Sequence, residues 1–261
     1  MTAGRSAGER AKFAAAQYAA DCVKDGMRVG LGTGSTAAWM VRCLGRMVRE
    51  DGLGITGVPT SQRTAQQART EGIPLTTLDE AGWLDVTIDG ADEFDPALDL
   101  IKGGGGALLH EKIVAAASER LIVITDATKE VAALGAFALP VEVIPFGLSS
   151  TRAHIDEVLA GADVMGREIA LRMADDAPYR TDEGNHILDL SLRRIAAPGA
   201  LAMQLNQVPG VVENGLFVGM CDRVVIGHGD GRVEIRDGAT GAITHERIDF
   251  DERENLFRDD L

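Results

Sequence analysis

Positive charge, cysteine and long apolar runs are all scarce in this chain, and each shortage removes a class of function. Lysine and arginine number 26 against 40 aspartates and glutamates, a formal net charge of −14. Nucleic acids and anionic membrane surfaces are held mainly by clustered Lys and Arg, so neither is an expected partner. An anionic ligand would need local positive contacts. The three cysteines, Cys22, Cys43 and Cys221, are odd in number, widely spaced and set among apolar residues. That fits reduced structural thiols rather than disulfides, and no C-x-x-C pair supports a zinc site. No apolar run approaches the roughly 20 residues of a membrane span, and the N-terminal MTAGRSAGERAKF has no apolar core for export, so a cytoplasmic protein is expected. There is no internal repeat or low-complexity tract. The five histidines are scattered, and no Ser/His/Asp or Cys/His arrangement stands out.

What is present suffices for a sizeable core: 261 residues, 45% of them hydrophobic. Ser6 and Glu9 have the spacing of a capping box, and Phe13, Ala16, Ala20 and Val23 then recur at helical intervals until Gly26. Residues 27–32 form a short apolar strand running into GTGST (32–36), with a helix expected over 37–49. Strand, glycine loop and helix start together present backbone N–H groups and a positive dipole end to a phosphate. The pattern repeats with a strand at 55–59 ending in Thr60-Ser61 and a helix at 62–70. Further strands are expected at 73–78, 83–88 and 121–125, the last ending in Asp126, Thr128 and Lys129, and a helix at 111–120. Alternating helices and near-continuous apolar strands predict a parallel sheet covered on both faces, with ligands beyond the carboxyl ends of its strands. From Pro140 the texture changes to a small α+β unit, with helices expected at 154–159 and 198–205, a strand at 168–173, and a turn then a strand over 181–190. Residues 208–226 are expected to rejoin the first sheet. The expected domains are therefore 1–134 with 208–261, and 135–207. Within the former, 229–261 reads as an appended hairpin around Asp237-Gly238 and an acidic, poorly ordered final dozen residues.

The densest chemistry lies in residues 88–113, IDGADEFDPALDLIKGGGGALLHEKI. Asp89, Asp92, Glu93 and Asp95 follow an apolar run, Lys102 precedes Gly103 to Gly106, and Glu111 and Lys112 open a helical segment. Carboxylates, a cation and bare backbone N–H donors are the groups that proton chemistry needs. The acids alone admit a divalent-cation site, a solvated turn or a polar reaction site. Their spacing is not that of a calcium loop and no histidine joins them, whereas Lys102 would hold Asp89 and Asp92 ionised by pairing, which favours the reaction site. The glycine loop lacks the Walker lysine before Ser35, and Gly30, Gly32 and Gly34 miss the dinucleotide spacing; a monophosphate cradle, a tight turn and, least favoured, a dinucleotide site remain open. Glu111 stands at an expected helix start, where a carboxylate most often serves as a cap.

In chain order, VGLGTGST, the Thr60-Ser61 pair, IDGADE, IKGGGGALLHEKIVA, TDATK, LPVEVIP, TDEGNHILD and PGVVENGLF resemble the ribose-5-phosphate isomerases of the A type over roughly residues 14–227. IDGADE followed by KGGGGALLHEK is the most specific part. The resemblance implies an aldose–ketose isomerase of the non-oxidative pentose phosphate pathway, acting on a sugar phosphate without metal or organic cofactor. It implies a Rossmann-like α/β domain with a smaller α+β domain, assembled as a homodimer or homotetramer. By the same resemblance Thr33, Gly34, Ser35, Thr36 and Lys129 bind substrate. Gly90, Ala91, Gly103, Gly104 and Gly105 line the sugar, and Asp89, Asp92, Lys102 and Glu111 are catalytic. Glu111 then becomes the base, which reverses its reading as a cap. Glu183 departs from a common asparagine, and residues 228–261 are not covered. Two rivals stand beside this reading. One is a phosphosugar-sensing module of a transcription regulator, disfavoured because no basic DNA-binding segment precedes the first strand; the other is a metal-dependent enzyme using the acidic cluster.

Overall fold

The computed structural model describes residues 6–250, so the expected disorder of the final residues falls outside it from residue 251 onward. Helix α1 (Ala7–Asp21) opens on Ser6, whose Oγ accepts the Glu9 N–H at 3.3 Å. Strand β1 (Arg28–Leu31) is followed by α2 (Ser35–Glu50), β2 (Thr56–Pro59) and α3 (Gln62–Thr70). The strand expected at 73–78 does not form. Leu75 makes a single bridge to Gly57, and Thr77 with Glu80 builds a complete capping box that opens the one-turn helix α4 (Leu78–Ala81). Next come β3 (Val86–Gly90), the two-residue strands β4 (Glu93–Phe94) and β5 (Leu100–Ile101), α5 (Leu108–Ala116) and β6 (Leu121–Asp126). Then follow β7 (Leu139–Val143), α6 (Leu148–Gly161), β8 (Glu168–Leu171), β9 (Met173–Ala174), β10 (Ala177–Pro178), β11 (His186–Ser191) and α7 (Pro198–Asn206). The remaining strands are β12 (Val211–Asn214), β13 (Leu216–Phe217), β14 (Arg223–Gly227), β15 (Arg232–Asp237) and β16 (Ile243–Arg247).

These elements form two compact units. The described part of the first comprises 6–90, Ile113–Thr128 and 221–250. Its sheet has the order β16-β15-β14-β6-β3-β1-β2. The strands from β2 to β14 are parallel, and the β15–β16 hairpin extends the sheet in antiparallel fashion. Strand order reverses between β1 and β3, which makes the loops after these strands the topological switch point of a doubly wound sheet. Side chains alternate between faces. Val29, Leu31, Val86 and Ile88 pack with Phe13, Met40 and Leu44 of α1 and α2. Gly30 faces the other way, where a Cβ would lie 2.8 Å from Val114 of α5. Gly227 serves α1 likewise, since a Cβ there would stand 1.9 Å from the Ala11 carbonyl oxygen.

The second unit comprises Ala91–Lys112 and Lys129–Met220. An antiparallel sheet of order β12-β7-β11-β8 buries Val141, Val143, Leu188 and Leu190 against Ile155, Leu159, Leu201 and Leu205 of α6 and α7. A three-stranded sheet of order β13-β5-β4 joins it. Two sequence expectations are drawn differently here. Residues 208–226 do not rejoin the first sheet as a whole: β12 pairs with β7 and β13 with β5, and only β14 returns. Gly215 makes this possible, because its C=O accepts the Lys102 N–H, its N–H donates to Pro140 C=O, and any Cβ would sit 2.3 Å from the Lys102 carbonyl oxygen. The same pairing groups 91–112 with the second unit rather than with residues 1–134. Among the described residues no helix is long and apolar enough to cross a membrane.

Candidate active site

In the first unit the site grows from two adjacent parallel strands. β1 and β3 run in register, Leu31 opposite Ile88, so the chain leaves both at the same end. Gly32 allows the close approach; a Cβ there would lie 2.2 Å from Asp89 Oδ1 and 2.5 Å from Asp89 Cα. Asp89 is 1% exposed, and its Oδ1 accepts the Thr33 N–H at 3.0 Å and the Gly90 N–H at 2.7 Å, donors that replace lost water. Thr33 Oγ1 sits in a hydroxyl cluster, 2.8 Å from Thr60 Oγ1, 2.8 Å from Ser61 Oγ and 3.1 Å from Thr64 Oγ1. Thr60 and Thr64 in turn donate to the carbonyls of Leu31 and Gly32. Gly34, at φ +125°, then starts α2 with no side-chain cap and no acid in the first turn. Ser35 and Thr36 therefore mark a helix N-terminus whose N–H groups and positive dipole end are not answered by the chain's own capping.

In the second unit the centre is a buried ion pair. Lys102 Nζ lies 3.4 Å from Glu111 Oε1, with 2% and 5% of the two side chains exposed. Helix α5 begins three residues earlier than expected, at Leu108, and the Glu111 N–H is bonded to Ala107 C=O at 2.9 Å. The carboxylate thus lies in the helix's first turn, against Lys102. Burying such a pair costs desolvation that its attraction seldom exceeds, so it points to function more than to stability. The Phe217 ring lies beside both lysines of this stretch, with Lys102 Nζ 5.4 Å and Lys112 Nζ 4.9 Å from its centroid. Lys112 Nζ also donates to Glu213 Oε1 at 2.9 Å and to Asn214 C=O at 2.6 Å. Burial lowers the Lys112 pKa against the opposing pull of Glu213. Burial also works to raise Glu213, but Lys112, the Asn214 N–H and Asn206 together outweigh it and bring it down.

The four glycines form a turn, with the Gly106 N–H on Gly103 C=O at 3.0 Å and positive φ at both ends, +105° and +80°. Asp92 Oδ2 accepts the Gly104 N–H at 2.7 Å. The acidic cluster of the sequence therefore divides. Asp89 and Asp92 hold the two loops, whereas Glu93 is buried and takes the N–H groups of Gly135 and Phe137. Asp95 closes a turn through Ala97 and Asp99, with burial raising its pKa. Ala91 is half-buried, and so is Lys129, which ends a short 3₁₀ turn, Ala127–Lys129. Thr64, Phe217 and Asn214 are not singled out as site residues by the sequence, because only the fold brings Thr64 to Thr33, and Asn214 and Phe217 to Lys112. Among the described residues no group of three His, Cys, Asp or Glu is placed to hold a metal ion.

The chain is similar to known proteins over nearly all of its length. The sequence model of the family described as ribose 5-phosphate isomerase A (phosphoriboisomerase A) matches residues 56–231. The chain is 67% identical to the ribose-5-phosphate isomerase A of Ruegeria sp. (strain TM1040) over 251 residues, 96% of each chain. It is 65% identical to that of Ruegeria pomeroyi over 259 residues, 99% of each. Among solved structures, ribose 5-phosphate isomerase A from Methanocaldococcus jannaschii superposes with a TM-score of 0.78 at 38% identity, covering 91% of this chain and 98% of that one. A D-ribose-5-phosphate isomerase in complex with phospho-erythronic acid gives 0.80 at 36%, covering 93% and 100%.

Proposed function

We propose, for a chain that belongs to the ribose 5-phosphate isomerase A family, a proton-transfer mechanism in which Glu111 is the base. The chain is an aldose–ketose isomerase that interconverts D-ribose 5-phosphate and D-ribulose 5-phosphate. A sensing module without turnover is not favoured. Isomerisation moves a proton between C2 and C1 through an enediolate, so it needs one base at carbon and a positive or N–H-lined setting for the oxyanion. Glu111 takes the carbon-bound proton. Lys102 and the Gly103 and Gly105 amides stabilise the developing oxygen charge, the Gly104 N–H holds Asp92, and Asp89 and Asp92 help to open the furanose ring and move hydroxyl protons. Thr33, Gly34, Ser35, Thr36 and Lys129 bind the substrate, with the open N-terminus of α2 suited to its phosphate. Gly90 and Ala91 line the sugar. No metal or organic cofactor has a part in this scheme.

The observation that carries the reading is the buried Lys102–Glu111 pair beside a turn of four glycines. It places a carboxylate, a cation and backbone donors together without another evident structural purpose. Hydrogen exchange at C2 in deuterated water tests it. Glu111→Gln is expected to bind the sugar phosphate and lose exchange; exchange at the wild-type rate would remove Glu111 from the role. The protein is further proposed to act in the cytoplasm as a homodimer or homotetramer.

A further inference from the structure

The glycine turn is held from outside by a residue that no motif in the sequence singles out. Arg172 lies between β8 and β9, its backbone fixed by an N–H bond to Ile187 C=O and by its own C=O accepting the Tyr179 N–H. Its guanidinium grips Asp189 of β11 with two prongs, Nε to Oδ2 at 2.9 Å and Nη2 to Oδ1 at 2.5 Å. The remaining nitrogen, Nη1, donates to the carbonyls of Gly103 at 2.8 Å and Gly104 at 3.2 Å. Tyr179 Oη adds a long bond to Gly105 C=O at 3.4 Å, and its ring centroid lies 5.9 Å from the Arg172 guanidinium carbon.

In a trans peptide the C=O and the following N–H point in opposite directions. Fixing the Gly103 and Gly104 carbonyls on Arg172 therefore fixes the Gly104 and Gly105 N–H groups on the opposite side of the turn. The Gly104 N–H does meet Asp92 there, at 2.7 Å. A four-glycine segment has no side chains to hold its own conformation and has a large backbone entropy to lose, so its donors keep a direction only if something else sets it. We propose that Arg172, oriented by Asp189 and assisted by Tyr179, is the positioning residue that aims the Gly105 N–H for the isomerisation and, through the Gly104 N–H, holds Asp92 in place. Arg suits the task because one planar fork holds a carboxylate while its third nitrogen reaches two carbonyls; an ammonium has no such geometry. This rests on the reading of Lys102, Glu111 and the glycine turn as the catalytic centre.

The test compares Arg172→Ala, Arg172→Lys, Asp189→Asn and Tyr179→Phe with Glu111→Gln, measuring kcat, KM and C2 exchange per folded enzyme, with thermal unfolding in parallel. Misplacing an oxyanion donor by about 1 Å costs up to about a hundredfold. Arg172→Ala is thus expected to lose about tenfold to a hundredfold in kcat with KM little changed, to recover part of it with added guanidinium ion, and to be only partly rescued by Lys. Tyr179→Phe is expected to lose only a few-fold. Wild-type kcat in folded Arg172→Ala, or a change confined to KM, would overturn the proposal. If Arg172→Ala does not fold, Arg172→Lys and Asp189→Asn decide on the same criteria. Exchange retained in Glu111→Gln would instead show that the reading of the catalytic centre has failed, whatever the Arg172 variants do.

Discussion

At the scale of single residues, the second unit holds a buried acid outside the proposed mechanism, Glu142 on β7. It is 1% exposed, and its Oε1 accepts from Thr181 Oγ1 and Asn185 Nδ2, both at 2.9 Å. Burial raises its pKa, and these two bonds with the nearby charge of His110 oppose the rise without cancelling it. A carboxyl whose folded pKa is raised binds its proton more tightly in the folded state. Its contribution is therefore fully favourable below the ordinary carboxylate pKa of about 4.3 and is lost as pH climbs through the raised value. Glu142→Gln keeps an oxygen acceptor and removes the charge. The variant is expected to gain stability relative to wild type as pH rises from about 4 towards neutrality, the gain levelling off above the raised pKa. Denaturant titrations at several pH values would show this, and an offset independent of pH would refute it.

At the scale of elements, α2 carries a tension between stability and binding. A helix start without a capping side chain or an acid forgoes stabilisation that proteins usually take, and here the open end adjoins the loop assigned to the phosphate. Placing a carboxylate in the first turn should reveal both effects. Ser35→Asp is expected to stabilise the helix by about 0.3–1 kcal/mol while repelling the substrate's phosphate. The thermal midpoint should rise slightly and KM should rise severalfold. An unchanged KM would separate α2 from phosphate binding. Helix α5 shows a different case: its start at Leu108 puts Glu111 in the first turn, with its carboxylate 3.4 Å from Lys102 Nζ.

At the scale of the whole molecule, the C-terminal hairpin belongs to the fold rather than being hung on it. Val233 and Ile235 of β15 and Ile248 beyond β16 lie in the same core as Phe13 and Leu44, and β15 covers the edge of β14. β16 is exposed along its length and carries Thr244, His245, Glu246 and Arg247, the polar kind of edge that discourages strand addition. Other apolar groups remain uncovered on the second unit, among them Phe146 at 89% and Met203 at 68% exposure. Burying such side chains stabilises by about 25 cal/mol per Å², so they favour the proposed self-association. Sedimentation at micromolar concentration is expected to give the mass of two or four chains, and a monomer would count against it.

By itself the sequence determined the parallel α/β sheet and the glycine loop at a helix start, and it singled out residues 88–113 as the segment proposed to carry the chemistry. These are written in short-range patterns: strand and helix periodicity, glycines where no Cβ fits, and charges against an apolar run. Those patterns also misled where a local signal competed with a distant partner. Residues 73–78 look like a strand but yield to the Thr77–Glu80 capping box, and the apolar strands of 208–217 pair with β7 and β5 rather than with the first sheet. Only the tertiary structure divided the four acids, with Asp89 on the Thr33 and Gly90 N–H groups, Asp92 on the Gly104 N–H, and Glu93 and Asp95 bracing other segments. Only the tertiary structure brought Phe217 against Lys102 and Arg172 onto the glycine carbonyls. Contacts between groups 69 or more residues apart leave no periodic trace in the chain, because their geometry is set by strand pairing and packing rather than by spacing.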